Sequence, residues 1–190
     1  TLGRSSAASD VYKRQGFGIQ NSPITYLGCP LYVGGQRIIY FSGIVEKIIR
    51  KISGWHAKIL NFGGKITLVK HVLQSIPIHL LAAVSPPKTT LKYIKNVIAD
   101  FFWGIDKDGK KYHWASWETL AYPTSEGGIG VRNLEDICIA FQYKQWWEFR
   151  TKISLWSKFL KAKYSKRANP IAKKYDTGNS LVWRYFTRNR

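Results

Sequence analysis

The acids, histidines and cysteines of this chain are few and scattered, which limits the chemistry its residues can do. Its 190 residues hold 11 Asp and Glu, 4 His and 2 Cys. Polymerase-type nucleotidyl transfer uses two metal ions held by aspartates, commonly a paired Asp-Asp in a turn, and the sequence contains no Asp-Asp. Asp100, Asp106 and Asp108 flank a polar turn and read as a solvated loop. Cys29 and Cys138 are far apart, and His56, His71, His79 and His113 join them in no Cys-x2-Cys pair or tight cluster, so no zinc site is expected. The turn Asp106–Lys111 lacks the spaced oxygens and terminal glutamate of a calcium loop. No carboxylate cluster suits a ribonuclease, and no nucleophile elbow surrounds the serines. The expectation is no catalytic residue, no metal ligand and no cofactor in this chain.

The residues left to act are the cations. Lys and Arg number 30 against 11 acids, a net charge of +19, and such a field concentrates phosphate-bearing partners. One acid-free stretch is Trp55–Pro77, with Lys58, Lys65, Lys70, His56 and His71. On the segment before it lie Lys47, Arg50 and Lys51. Lys58, Lys65, Lys70 and His71, then Lys47, Arg50 and Lys51, are the candidate nucleic-acid contacts, meeting phosphates without reading bases. The bland alternative is that these charges only solubilise outer helix faces, with His71 a neutral surface side chain. For a single lysine the two readings balance; for the set, the missing acids favour contact. An anionic membrane would answer the same electrostatics. However, no apolar run approaches the ~20 residues a spanning helix needs and no lipidation signal is seen, so no membrane partner is expected. Aromatics make up 15% of the chain, including 8 Trp. Trp103, Trp114 and Trp117 read as core or interdomain anchors rather than base-stacking platforms. Two distant cysteines suit a reduced, intracellular setting, nuclear or cytoplasmic.

The elements that position these residues follow from apolar periodicity. Ile24–Tyr32 reads as one edge or irregular strand, limited by Pro30, with a turn at Gly34-Gly35. Phe41, Ile44, Val45, Ile48, Ile49 and Ile52 stripe a helix from Ile38 to Trp55. A Gly63-Gly64 turn then opens a second helix over about Gly64–Ser75. Ile66, Val69, Val72 and Leu73 lie on its inner face, with Thr67, Lys70, His71 and Gln74 opposite, and Pro77 ends it. Ile78–Val84 is a short apolar turn before Pro86-Pro87. A third helix spans Thr89–Trp103, with Thr89 or Thr90 as cap and Leu91, Ile94, Val97, Ile98, Phe101 and Phe102 inside. After a turn-rich stretch, Asn133 caps a helix over Leu134–Arg150. That helix is apolar nearly all round, and only one of Trp146 and Trp147 can face inward on it. Ser154–Tyr164 forms another, burying Leu155, Trp156, Phe159 and Leu160, and Ser180–Phe186 begins a last one. The fold class is mainly α: a small helical bundle, a short irregular or β segment, and further aromatic-rich helices.

The order of short motifs adds a family resemblance. The motifs are Tyr26-Leu27-Gly28 with Pro30-Leu31; Trp55, Gly63-Gly64-Lys65 and Lys70–Pro77; Phe102-Trp103-Gly104; His113 with Trp117 and Pro123; and Gly127–Leu134. The set resembles the region downstream of the polymerase palm in plant non-LTR (LINE-type) retrotransposon reverse transcriptases, chains often named as ribonuclease H or reverse-transcriptase zinc-binding proteins. It covers about Tyr26–Trp156. The resemblance implies the end of a palm over 16–37, a thumb-like bundle over 38–104, a connection over 105–132 and a truncated helical region over 133–190. It implies an RNA–DNA template–primer and the upstream palm as partners. It also implies a parent RNA-directed DNA polymerase using Mg, with zinc-binding and ribonuclease H segments often further on. Residues 1–15 are Ser/Ala/Arg-rich without apolar period and read as a non-native leader. With no Met present, the chain reads as a piece of a longer protein. Two other readings stay open: a decayed retroelement remnant without activity, and a basic scaffold binding a protein or an anionic membrane.

Overall fold

A computed structural model describes residues 23–32, 35–55, 60–104, 112–165 and 180–188. The expected leader, the Asp106–Lys111 turn, Gly34, His56 and Lys58 lie outside the described residues. The fold is mainly α, as expected. Its one described sheet is an antiparallel hairpin, β1 Ile24–Tyr26 and β2 Cys29–Leu31, with Thr25 opposite Pro30. The single strand expected there is therefore two. The chain reverses at Leu27 (φ 49°) and Gly28 (φ 79°), the paired positive φ that a tight hairpin turn needs. Pro30 is tolerated because a two-stranded ribbon has only edges.

A 3-10 turn, Ile38–Phe41, leads into α1, Ser42–Ser53. Phe41 and Ile48 are buried and Ile44, Val45 and Ile52 pack against them. Ile49, placed in the inner stripe by its spacing, is 38% exposed. Next, α2 spans Phe62–Leu68, a π-helical turn spans Val69–Leu73, and α3 spans Ser75–Ala83. Four expectations change here. Gly63 and Gly64 lie in the first turn of α2, whose Asn61 cap accepts the Gly64 N–H at 2.8 Å. A strong N-cap offsets the glycines' poor helix propensity, so Gly63-Gly64 is not the turn expected there. Pro77 does not stop the helix. The wide turn, with the Gln74 N–H reaching the Val69 carbonyl at 3.0 Å, restarts the ladder at Ser75. Pro77 then stands in a first turn, where a missing N–H costs nothing. The stretch Ile78–Val84 is accordingly helix almost throughout. Finally, Gln74 faces inward, buried, and donates to the Arg132 carbonyl at 2.8 Å.

Joined in this way, Phe62–Ala83 is a helical run of 22 residues, with a mean hydropathy of 1.3 in its most apolar window. By length and composition alone it is long and apolar enough to cross a membrane, contrary to the expectation that no such run exists. A third of that window is buried within the protein, and Val69, Leu73, Leu80 and Leu81 belong to the core.

Helix α4, Lys88–Trp103, has Pro87 at its cap position and no side-chain cap, and Thr90 is buried inside its first turn rather than capping it. It packs on α1 and α2 through Leu91, Ile94, Ile98, Phe101 and Phe102. A one-turn helix, α5 Trp117–Leu120, is capped by Ser116. The long α6, Leu134–Thr151, is capped by Asn133. Its Leu134 and Cys138 close the main core, while Phe149 enters a second cluster with Leu160, Tyr164, Trp183 and Phe186. That cluster is built with α7, Leu155–Tyr164, and α8, Leu181–Arg188. On α7 the buried side is Ser157, Leu160 and Tyr164; Leu155 (87% exposed) and Phe159 point away from it. The cause is a capping box, in which Ser154 and Ser157 bond each other's N–H at 3.0 and 3.1 Å. Ser157 also donates to the Lys152 carbonyl at 2.7 Å, which turns the serine side of α7 inward. Trp146 packs on Phe149 and Phe186 while Trp147 stays exposed, so one of the pair faces inward.

Candidate nucleic-acid interface

The cationic residues sit on the outer sides of α1 and of the α2–α3 run. Burying Ile48 turns the other side of α1 outward, leaving Lys47, Arg50 and Lys51 exposed. Arg50 and Lys51 also occupy the last turn, where a positive charge suits the helix dipole. On the second run, burial of Val69 and Leu73 leaves His71 exposed and Lys65 and Lys70 half-buried. The Lys65 ammonium lies against Gly104 at the C-terminal end of α4, 3.2 Å from where a Cβ would stand. Lys70 similarly approaches Gly130, at 3.5 Å from a Cβ position. These two lysines, half-buried, thus cover part of their aliphatic stems. Lys58 lies outside the described residues.

Acids do not neutralise this surface. Between Arg37 and Trp103 the only acids are Glu46 and Asp100. Among the described residues the ion pairs are Lys95–Glu118 (2.7 Å), His113–Asp100 (3.1 Å) and Lys152–Glu148 (2.8 Å). None involves Lys47, Arg50, Lys51, Lys65 or Lys70. Hydrogen bonding from Lys95 holds the Glu118 carboxyl below its ordinary value, and Lys152 does the same for Glu148. Asp100, expected in a solvated loop, is a half-buried residue of α4. It bonds His113, whose ring stacks on Trp103 at 6.4 Å. Of the three tryptophans expected as anchors, Trp117 is buried and Trp103 half-buried, whereas Trp114 is 79% exposed. His113 is itself partly exposed, and its contacts with Trp103 and Asp100 join positions ten and thirteen residues apart, which the spacing of Trp114 and Trp117 does not reveal.

The glycine loop after α5 offers nothing to a phosphate. The N–H groups of Gly127, Gly128, Ile129, Gly130 and Val131 bond the carbonyls of Thr124, Pro123, Leu120, Tyr122 and Leu120. A Cβ on Gly128 would stand 2.0 Å from the Tyr122 carbonyl oxygen, so glycine is required there for close backbone approach. Among the described residues no three His, Cys, Asp or Glu side chains converge as metal ligands. The described residues therefore do not fit the aspartate-held Mg that the family resemblance implies for the parent polymerase. Both cysteines are free and buried. Burial raises the Cys29 thiol, and burial with nearby Glu135 pushes Cys138 up to about 11, so both are protonated at neutral pH and poor nucleophiles or ligands.

Comparison with known proteins adds one relative of informative name. Over 125 residues, 65% of this chain, it is 35% identical to a protein of Arabidopsis thaliana named "Putative ribonuclease H protein". The match takes in 20% of that protein, so the chain spans about a fifth of the length of the curated relative it matches. No protein-family model matches the chain, and no solved structure matches it significantly. The relative's name is one that the family resemblance leads to expect.

Proposed function

We propose that this chain is a non-catalytic part of a retroelement reverse transcriptase that holds an RNA–DNA template–primer duplex by its phosphates. The observation carrying this reading is the acid-poor cationic surface: Lys47, Arg50 and Lys51 on α1, with Lys65, Lys70 and His71 on the α2–α3 run, in ion pairs with no described carboxylate. Each ammonium or guanidinium that meets a phosphate releases condensed counterions, and the gain is indifferent to base sequence. A part that must follow a duplex of changing sequence needs that indifference. The relative's name supports a nucleic-acid setting, and the order of motifs supports a position after a polymerase palm. On that reading the exposed Leu31, Ile38 and Ile39 are the apolar area that the palm covers, and polymerisation with Mg belongs to the palm.

Binding of an RNA–DNA hybrid by the whole chain, measured across salt concentrations, tests the reading. The affinity should fall steeply as salt rises, with a log–log slope of about −0.9 for each phosphate neutralised. Salt-insensitive binding, or no binding by folded protein at low salt, would refute it.

A further inference from the structure

Two side chains next to this surface are not explained by holding a duplex. Trp114 is 79% exposed and Tyr112 is 63% exposed, although an isolated large ring gains by burial. They stand two residues apart on the segment preceding α5, ring centroids 4.9 Å apart and nearly perpendicular at 73°. The residue between them faces the other way: His113 stacks on Trp103 and bonds Asp100 at 3.1 Å. This anchor fixes the segment to the end of α4 and holds the two outer rings in solvent. The edge-on pairing braces Trp114 through its neighbour and leaves ring surface open. The anchoring Trp103 also contacts Phe62, at 6.4 Å, and the Lys65 ammonium lies against Gly104, the next residue. An exposed, braced ring pair is therefore placed at the edge of the cationic surface.

We infer that Tyr112 and Trp114 form a stacking platform for an unpaired base of a single strand that continues from the duplex. Every base has a π face, so such a platform is tolerant of sequence, as the phosphate contacts are, and stacking with adjacent lysines is how proteins hold single strands without reading them. Paired bases inside a duplex do not offer their faces; an overhanging or frayed one does. The inference deepens the proposed duplex-holding function and rests on it for the source of the strand.

The test compares a blunt RNA–DNA hybrid with the same hybrid carrying a short single-stranded template extension, at one salt concentration. The whole chain should bind the extended hybrid more tightly, and an abasic extension should lose most of the gain. Trp114→Ala should remove about tenfold of affinity for the extended hybrid, within the range of stacking contributions, while leaving the blunt hybrid unchanged. Trp114→Phe should keep part of the gain, and circular dichroism should show both variants folded. Equal binding of abasic and native extensions, or a Trp114→Ala variant that keeps the full gain, overturns the platform. Loss of blunt-hybrid binding in the unsubstituted chain is a separate result that refutes the duplex-holding reading. In that case a Trp114-dependent preference for single strands over abasic ones would still support the platform.

Discussion

The cations of the helices α1–α3 and those of the C-terminal aromatic cluster have the same chemistry and opposite surroundings. In the C-terminal cluster the Arg150 guanidinium lies 5.9 Å from the Trp146 ring centroid and the Lys161 ammonium 5.8 Å from that of Phe149. Lys163 lies over both Phe159 and Tyr164 at 5.8 and 5.3 Å, and Lys152 pairs with Glu148 at 2.8 Å. Those charges are occupied by the fold itself. On α1, no described carboxylate or ring face takes up Lys47, Arg50 or Lys51. Charge count alone cannot separate a binding surface from a structural one; the partners already present can.

This contrast can be strained at several points. The largest effect is expected from Trp183→Ala. Trp183 is fully buried, stacked on Tyr164 at 4.6 Å and set edge-on to Phe149 at 5.9 Å, so its loss should cost about 3–5 kcal/mol in chemical denaturation. Hybrid affinity measured where the variant is folded should stay within about twofold of the parent chain. A large loss of affinity there would make the two regions functionally one. A smaller effect is expected from Lys161→Gln, which removes a cation from the face of Phe149: about 0.5–1 kcal/mol of stability.

A further effect, confined to alkaline pH, concerns Cys138, which belongs to the main core on the helix that continues into the second cluster. Its folded pKa of about 11 exceeds the ordinary thiol value of 9.0, so the neutral thiol is favoured by folding. The resulting stability is present below about 9 and lost as pH rises through the folded value. Denaturation curves of the parent chain and of Cys138→Ala should therefore converge between these two pH values. Alkylation of Cys138 in the folded protein should be slow at pH 8. Rapid alkylation there, or a difference between the curves that grows with pH, would contradict the burial account.

Much of this architecture was legible in the sequence where burial follows a single period. Ile94, Ile98, Phe101 and Phe102 gave α4, and Ile44, Val45, Ile48 and Ile52 gave α1. Asn133 gave the start of α6. The misreadings have local causes. Gly63, Gly64 and Pro77 carry propensities that end helices, but a side-chain cap at Asn61 and a π turn before Ser75 accommodate them. Gln74 reads as polar and outward until its partner 58 residues away, the Arg132 carbonyl, is known. Leu155 and Phe159 share a helical face that reads as core, yet Ser154 and Ser157 set the rotation of α7. The cationic surface was legible as composition; that the Phe149 ring engages Lys161 was not, since that contact joins separate helices.

The most direct measurement compares two charge-removal variants for hybrid binding across salt: Lys47, Arg50, Lys51, Lys65 and Lys70 replaced by Gln in one, Lys161 and Lys163 in the other. The account predicts that the first flattens the salt slope by about one unit for each phosphate no longer neutralised. The second should keep the parent slope and lose only stability. Equal flattening per charge removed in both variants would mean diffuse attraction rather than a site, and would contradict the account.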